Sequence, residues 1–307
     1  MTKLIECVPN FSEGRDANVV KRIEDSIRNV RGIMVLGSEM DASHNRSVLT
    51  FAGTPASVAD AAFAAAGTAL ELIDMNRHSG EHPRIGATDV IPVIPLSDVS
   101  MEECVSLSVA IAERISDELG IPTYLYEQSA RRPGRKNLSD IRKGEYEGLR
   151  ETILTDEERK PDFGGPALHP TAGATVVGAR PILVAYNIYL NTADVSVAKR
   201  IAKKIRERDG GMPGVKALGF FIKEKNMAQV SINLTDLSKT GMAGVYDRVA
   251  EEAGTEGHTV AGSEVVGMVP ASEFIEIGRQ KLKLMEFDKS QMIESRLLDM
   301  ISSGRGE

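Results

Sequence analysis

Pro181-Ile182-Leu183-Val184-Ala185-Tyr186-Asn187-Ile188-Tyr189-Leu190 is rich in β-branched and aromatic residues and reads as a strong strand. Ala193 to Arg208 follows as a helix, and Gly210-Gly211-Met212-Pro213-Gly214 as a turn. Val215 to Ile222 and Ala228 to Leu234 read as paired strands around a charged turn. A helix near Ala243 to Ala253 and a strand around Thr259 to Val266 close the series. The order strand–helix–strand–strand–helix–strand is that of the split βαβ, ferredoxin-like unit.

Toward the N-terminus the same order recurs. Leu4 to Val8 is a strand closed by Pro9, and Val19, Val20, Ile23, Ile27 and Val30 fall at helical spacing within Ala17 to Val30. Ile33 to Leu36 is a short buried strand, Ser38 to Arg46 a polar loop, and Ser47 to Ala52 an alternating strand. Ala56 to Ile73 is an alanine-rich helix, Asp74 to Ala87 a long polar stretch, and Val90 to Ile94 a strand. A helix over Met101 to Leu119 and a strand over Thr123 to Tyr126 complete this half. The expected fold is therefore α/β (α+β): two ferredoxin-like α/β subdomains with largely antiparallel sheets and a ligand cleft between them. The expected division is 1–178, 179–284 and a helical tail at 285–307 that frays from Ser302 to Glu307. Charged Asp140 to Pro161 reads as the connector.

The bulk properties exclude several classes. With 307 residues, 42% hydrophobic and 26% charged, the chain is an ordinary globular protein. Its net charge of −7 offers nothing global to nucleic acid or an anionic membrane, so an anionic ligand needs local basic residues. Cys7 and Cys104 are too few for a disulfide framework or a four-thiolate zinc site. No apolar run reaches transmembrane length, and Met1 to Glu13 lacks a signal peptide's apolar centre, so the cytosol is the expected compartment.

His78-Ser79-Gly80-Glu81-His82 is the sharpest local feature, since H-x-x-E-H is a zinc-hydrolase pattern. That chemistry needs one continuous helix, which Gly80 weakens and Pro83 opposes. A solvated loop with incidental histidines is the plain alternative. A third reading fits the local chemistry better: a histidine held in a Gly/Pro-shaped loop beside a cleft, with an ordinary pKa suited to proton transfer. Glu81 or an aspartate could fix its tautomer, and Arg84 could grip a carboxylate bidentately. No metal is expected.

Other polar groups stand in loops. Asn10, Ser12, Glu13 and Arg15 follow the first strand, and Glu39, Asp41, His44, Asn45 and Arg46 separate the next two. Turn chemistry alone explains such residues, yet neighbouring strands would bring both loops to one end of a sheet. Asp162-Phe163-Gly164-Gly165-Pro166 opens a loop to Thr175 that suits either a flat heterocycle or an interlobe hinge. Its glycines follow no nucleotide-binding pattern. Arg131, Arg132, Arg135 and Lys136 read as a solvated basic run, with no interleaved aromatics to suit nucleic acid.

Leu4-Ile5-Glu6-Cys7-Val8-Pro9-Asn10-Phe11-Ser12-Glu13-Gly14 closely resembles the opening of the glutamate formimidoyltransferases. Asn45-Arg46 before a strand ending Thr50-Phe51, Gly80-Glu81-His82-Pro83-Arg84, Asp162-Phe163-Gly164, Gly173-Ala174-Thr175-Val176 and Gly178-Ala179-Arg180 resemble the same family. Glu224-Lys225-Asn226, Ala228-Gln229-Val230-Ser231 and Val266-Gly267 carry the resemblance into the second half, so it runs from Leu4 to Pro270. It implies transfer of the formimidoyl group of N-formimidoyl-L-glutamate to N5 of the co-substrate tetrahydrofolate, a step of histidine breakdown, in a homodimer. The alternative on the same scaffold is formyl transfer from N-formylglutamate or 5-formyltetrahydrofolate. The family's catalytic histidine falls on His82, with support expected from Glu39 or Asp41. Arg84 and Arg46 would hold donor carboxylates, beside the substrate-side residues Asn10 and Asn45. The folate-binding stretch falls on Phe163, Gly164, Gly165, Pro166, Ala167, Leu168, His169, Pro170, Thr171 and Ala172. Two departures stand out: relatives often have aspartate at Glu39 and Ser-Trp at Thr171-Ala172, where an aromatic stacking surface is lost. The cyclodeaminase domain fused in some animal relatives is not expected.

Overall fold

The computed structural model describes residues 3–302 and divides into two compact units between Ile182 and Leu183. The first unit contains β1 (Leu4–Cys7), β2 (Asn10–Phe11), α1 (Ala17–Arg28), β3 (Met34–Asp41), β4 (Arg46–Gly53), α2 (Pro55–Leu72) and β5 (Thr88–Ser97). It continues with α3 (Met101–Leu119), β6 (Thr123–Leu125), α4 (Leu138–Ile141), α5 (Glu145–Thr152) and β7 (Thr175–Ala179). β1 and β2 lie end to end between β4 and β5, antiparallel to both, with β3 outside β4. That lateral order is ferredoxin-like. β7 and β6 then extend the sheet beyond β5 as parallel strands.

Local chemistry explains these elements. Val20, Ile23 and Ile27 form the buried stripe of α1, whose first turn is capped by Asp16. Thr54 caps α2 with Pro55 in its first turn, and buried Ala61, Ala62, Ala65, Ala66 and Ala69 let that helix lie close to its neighbours. α3 begins in a Ser100/Glu103 capping box and ends on Gly120 at φ 67°.

The second unit contains β8 (Val184–Leu190), α6 (Val195–Ile205), β9 (Val215–Ile222), β10 (Met227–Leu234), α7 (Met242–Thr255) and β11 (Val260–Val266). Its strand order, β11-β8-β10-β9, is wholly antiparallel and again ferredoxin-like. α8 (Ala271–Leu282) and α9 (Ile293–Ser302) follow. The fraying expected at Ser302 to Glu307 lies, from residue 303 onward, outside the described residues.

Three expectations change. Ser38 to Arg46 is not a loop: β3 runs to Asp41 and β4 starts at Arg46, leaving a turn of 42–45 in which Asn45 takes φ 47°. Only its first half alternates, with Val35 packed on the core, while Ser38, Glu39 and Met40 are exposed and held by pairing with β4. Asp140 to Pro161 is not a connector, since β7 follows it and completes the first sheet. Ile141, Tyr146, Leu149 and Ile153 are buried, and Arg142, Glu145 and Glu147 pair with the buried Asp89 and Arg84 of the same unit. The strand at Leu4 resumes past Pro9, whose carbonyl accepts from Leu49 N at 3.1 Å.

Candidate active site

The polar residues of the first unit gather where the β3–β4 turn meets the loop of 78–84. Asn45 is the clamp: its Oδ1 accepts from Gly14 N and its Nδ2 donates to Ser79 O, both at 3.0 Å. Glu81 N donates to Ser43 O at 3.3 Å, and Arg15 Nε to Ala42 O at 2.9 Å. Gly80 sits so close that a Cβ there would lie 2.3 Å from His44 O. Ser12 Oγ reaches Gly86 O at 2.7 Å, so the loop after β2 joins the same cluster. The sheet register thus brings both N-terminal loops to the His78–His82 stretch. Asn10 stays on the strand, its Nδ2 donating to Val8 O at 3.2 Å.

His78 is held on both ring nitrogens. Arg84 Nε donates to its Nδ1 at 3.1 Å, which leaves Nε2–H to donate to Asn45 O at 2.9 Å. The stretch is not a helix, so the two rings lack the single-face geometry of the zinc pattern. Among the described residues no group of three His, Cys, Asp or Glu is arranged to hold a metal.

Arg84 departs from its expected use. Its side chain is 5% exposed, donating to Glu145 Oε2 at 2.7 Å and to Glu147 Oε1 and Oε2 at 2.7 and 2.8 Å. The protein's own carboxylates from α5 occupy the fork, so Arg84 braces the loop. The charged segment misread as a connector supplies them. Asp41 is likewise engaged: its Oδ1 accepts from Ser43 N and His44 N, and its Oδ2 meets His44 Nδ1 at 2.6 Å. Glu39 stands two residues back on β3, exposed.

His82 is half-buried, and its pKa is pulled down to about 3, first by burial and then by the charges of Arg142 and Arg46. It is a neutral imidazole near pH 7, able to accept a proton and, once charged, a strong acid. Arg142, at the C-terminus of α4, was not anticipated as a site residue. It pairs with Asp89, which is 1% exposed and also accepts from Ile85 N at 2.8 Å. Asp89 carried the available signal, being a carboxylate at the start of an apolar strand that must find a partner.

The Phe163–Ala172 stretch borders this cluster. Met75 N donates to Thr171 O and Ala87 N to Ala172 O, each at 2.8 Å, while Asn76 Nδ2 donates to Pro170 O at 2.8 Å. His169 Nδ1 accepts from Thr171 N and Ala172 N. Gly164, Gly165, Pro166 and Ala167 are exposed, Leu168 packs on the core, and Ala172 is fully buried, so Ala172 offers no contact surface. The loop lies within the first unit and is not an interlobe hinge. Its start is anchored by Asp162, paired with Arg135, both side chains 4% exposed. Arg135 is therefore not a solvated member of the basic run, and Arg131 lies over the Phe163 ring at 4.7 Å.

Residues 4–180 match the formiminotransferase domain, N-terminal subdomain, and residues 185–300 match the formiminotransferase domain. The chain belongs to the formiminotransferase family. It is 48% identical to the glutamate formimidoyltransferase of Thermoplasma acidophilum, over 96% of this chain and 97% of that one. It is 44% identical to the glutamate formimidoyltransferase of Streptococcus pyogenes serotype M1, over 97% of this chain and all of that one. The formimidoyltransferase-cyclodeaminase of Gallus gallus is 46% identical, matching 98% of this chain but 58% of its own length. Among the described residues, no helix is long and apolar enough to cross a membrane.

Proposed function

We propose that the chain transfers the formimidoyl group of N-formimidoyl-L-glutamate to N5 of tetrahydrofolate, with His82 carrying the proton. The observation that supports this most is the placement of half-buried His82 in the loop that Asn45 and Gly80 lock against the turn leading into Arg46. Amidine transfer between two amines needs a group that takes a proton and returns it.

In this reading His82 accepts the proton lost from N5 as that nitrogen bonds to the formimidoyl carbon. It then delivers the proton to the glutamate nitrogen as the old C–N bond breaks, so the imidazole ends neutral. Arg46 draws in a donor carboxylate, and Glu39 balances its charge from β3. Asp41 acts more remotely, by fixing His44 and the turn that presents Asn45 and Arg46. The exposed backbone from Gly164 to Ala167, with Phe163 just before it and Thr171 further along the loop, offers the folate surface. Holding both substrates in register contributes at least as much as the proton transfer. The same reading has the chain acting as a homodimer, which sedimentation of purified protein would check.

The direct test is turnover of purified protein with tetrahydrofolate and N-formimidoyl-L-glutamate, beside N-formyl-L-glutamate and a His82→Ala control. Formation of 5-formimidoyl-tetrahydrofolate is expected, with His82→Ala slower by roughly 10²–10⁴-fold. A folded His82→Ala protein with normal turnover removes the proton-carrier role. Product from the formyl donor alone changes the substrate.

A further inference from the structure

The loop of 78–84 carries His82 yet has no helix or strand to hold it. Among the described residues it makes one backbone–backbone hydrogen bond, from Glu81 N to Ser43 O at 3.3 Å. Side chains supply the rest, and the ring of His78 joins both ends. Arg84 Nε donates to its Nδ1 at 3.1 Å, closing the loop on itself around His82. Its Nε2 meets Asn45 O at 2.9 Å, on the turn just before Arg46. Neither partner leaves a choice of tautomer, because a guanidinium nitrogen only donates and a carbonyl only accepts. The ring that fits is neutral, with its proton on Nε2. An imidazolium would aim an N–H at the Arg84 N–H and lose that bond. Burial of the ring favours the same neutral form.

We propose that His78, in this one tautomer, is the positioning residue that sets His82 for proton transfer. The inference rests on the transferase reading and deepens it by adding a second histidine that itself moves no proton. Asn45 answers the ring through its own Nδ2, which donates to Ser79 O at 3.0 Å, so turn and loop are stitched in both directions. Arg84 is itself fixed by Glu145 and Glu147. A continuous chain of hydrogen bonds thus runs from α5 through Arg84 and His78 to the turn. His82 lies within the segment that the Arg84–His78 bond closes. A slack of an ångström there is enough to spoil the alignment that proton transfer needs.

The test uses the full chain and three substitutions of His78. His78→Phe fills the space of the ring but can make neither bond. His78→Asn can return an acceptor to Arg84, and His78→Gln a donor to Asn45 O. His78→Phe should lower kcat for formimidoyl transfer by roughly 10- to 100-fold, with the KM of both substrates nearly unchanged. The Asn and Gln variants should each recover part of that loss, because each restores one of the two bonds. NMR of the wild-type ring at pH 7 should show a neutral imidazole protonated at Nε2. Amide exchange at Glu81 should quicken in His78→Phe. Normal kcat in folded His78→Phe, losses of equal size in all three variants, or a wild-type ring protonated at Nδ1 overturns the proposal. A raised KM with unchanged kcat also overturns it, since His78 would then be a binding residue. If His78→Phe does not fold, the wild-type ring and the two rescuing variants still decide. A wild type that shows the expected ring and Glu81 behaviour but does not turn over N-formimidoyl-L-glutamate keeps the pin and loses the transferase reading.

Discussion

Arg84 Nη2 donates to Glu147 Oε1 at 2.7 Å, tying the loop before β5 to the helix that crosses it. The pair is asymmetric, because the Arg84 side chain is 5% exposed while Glu145 and Glu147 are 43% and 62% exposed. Deleting the arginine lets two carboxylates rehydrate, whereas neutralising both acids strands a buried charge. Glu145→Gln/Glu147→Gln should therefore cost roughly 3 kcal/mol, more than Arg84→Met. Urea unfolding checks the order, and a larger loss in Arg84→Met would contradict it.

Gly80 bears on precision rather than stability. A methyl group there would lie 2.3 Å from His44 O and 2.8 Å from Asn45 Cβ, so the loop must shift away from the turn. Gly80→Ala should lower turnover by roughly a hundredfold, as expected for an ångström-scale misplacement of His82. Its unfolding midpoint should move only slightly, since the loop is peripheral to the core. Unchanged kcat with a large fall in stability would mean that the contact serves packing alone.

How far the sequence exposed this arrangement depends on the kind of signal. Alternation and helical spacing were enough for both ferredoxin-like orders, because Val20, Ile23, Ile27 and the β8 residues owe their positions to burial. That residues 78–82 form no zinc-binding helix was legible from Gly80 and Pro83, whereas His82 is singled out by the family resemblance and not by its loop. Arg142, Arg135 and Asp89 were hidden because their meaning lies in partners 53 or 27 residues away. A charged segment such as 140–161 looks solvated until its carboxylates are seen on Arg84. β3 was cut short for a similar reason, since an outer strand declares itself through pairing that no single segment contains.

The Arg135–Asp162 pair anchors the start of the exposed loop from both sides. Asp162 also accepts from Leu125 N at 2.8 Å, and Arg135 also donates to Glu158 O at 3.3 Å. Arg135→Met strands the buried carboxylate and should cost roughly 3–5 kcal/mol. Amide exchange should quicken from Glu157 to Phe163 before the rest of the unit. Arg135→Met/Asp162→Leu should lose less than the two single changes together, because no lone charge is left. Strict additivity would show that the two side chains do not act as a pair.

His82 gives the chain a pH dependence whose sign follows from its environment. Its folded pKa of about 3 lies below the ordinary 6.5, so between those values the unfolded chain holds a proton that the folded chain does not. Stability contributed by the neutral ring is thus complete above about 6.5 and falls as the pH drops toward 3. His82→Gln should flatten that part of the profile, comparing unfolding free energies at pH 7 and pH 4.5. In the free enzyme the base form persists well below pH 6.5, so the acid limb of kcat/KM belonging to this group lies lower than for an ordinary histidine. NMR titration of the ring decides the point: a midpoint at or above 6 in the unliganded protein would mean that burial and Arg142 do not govern this imidazole.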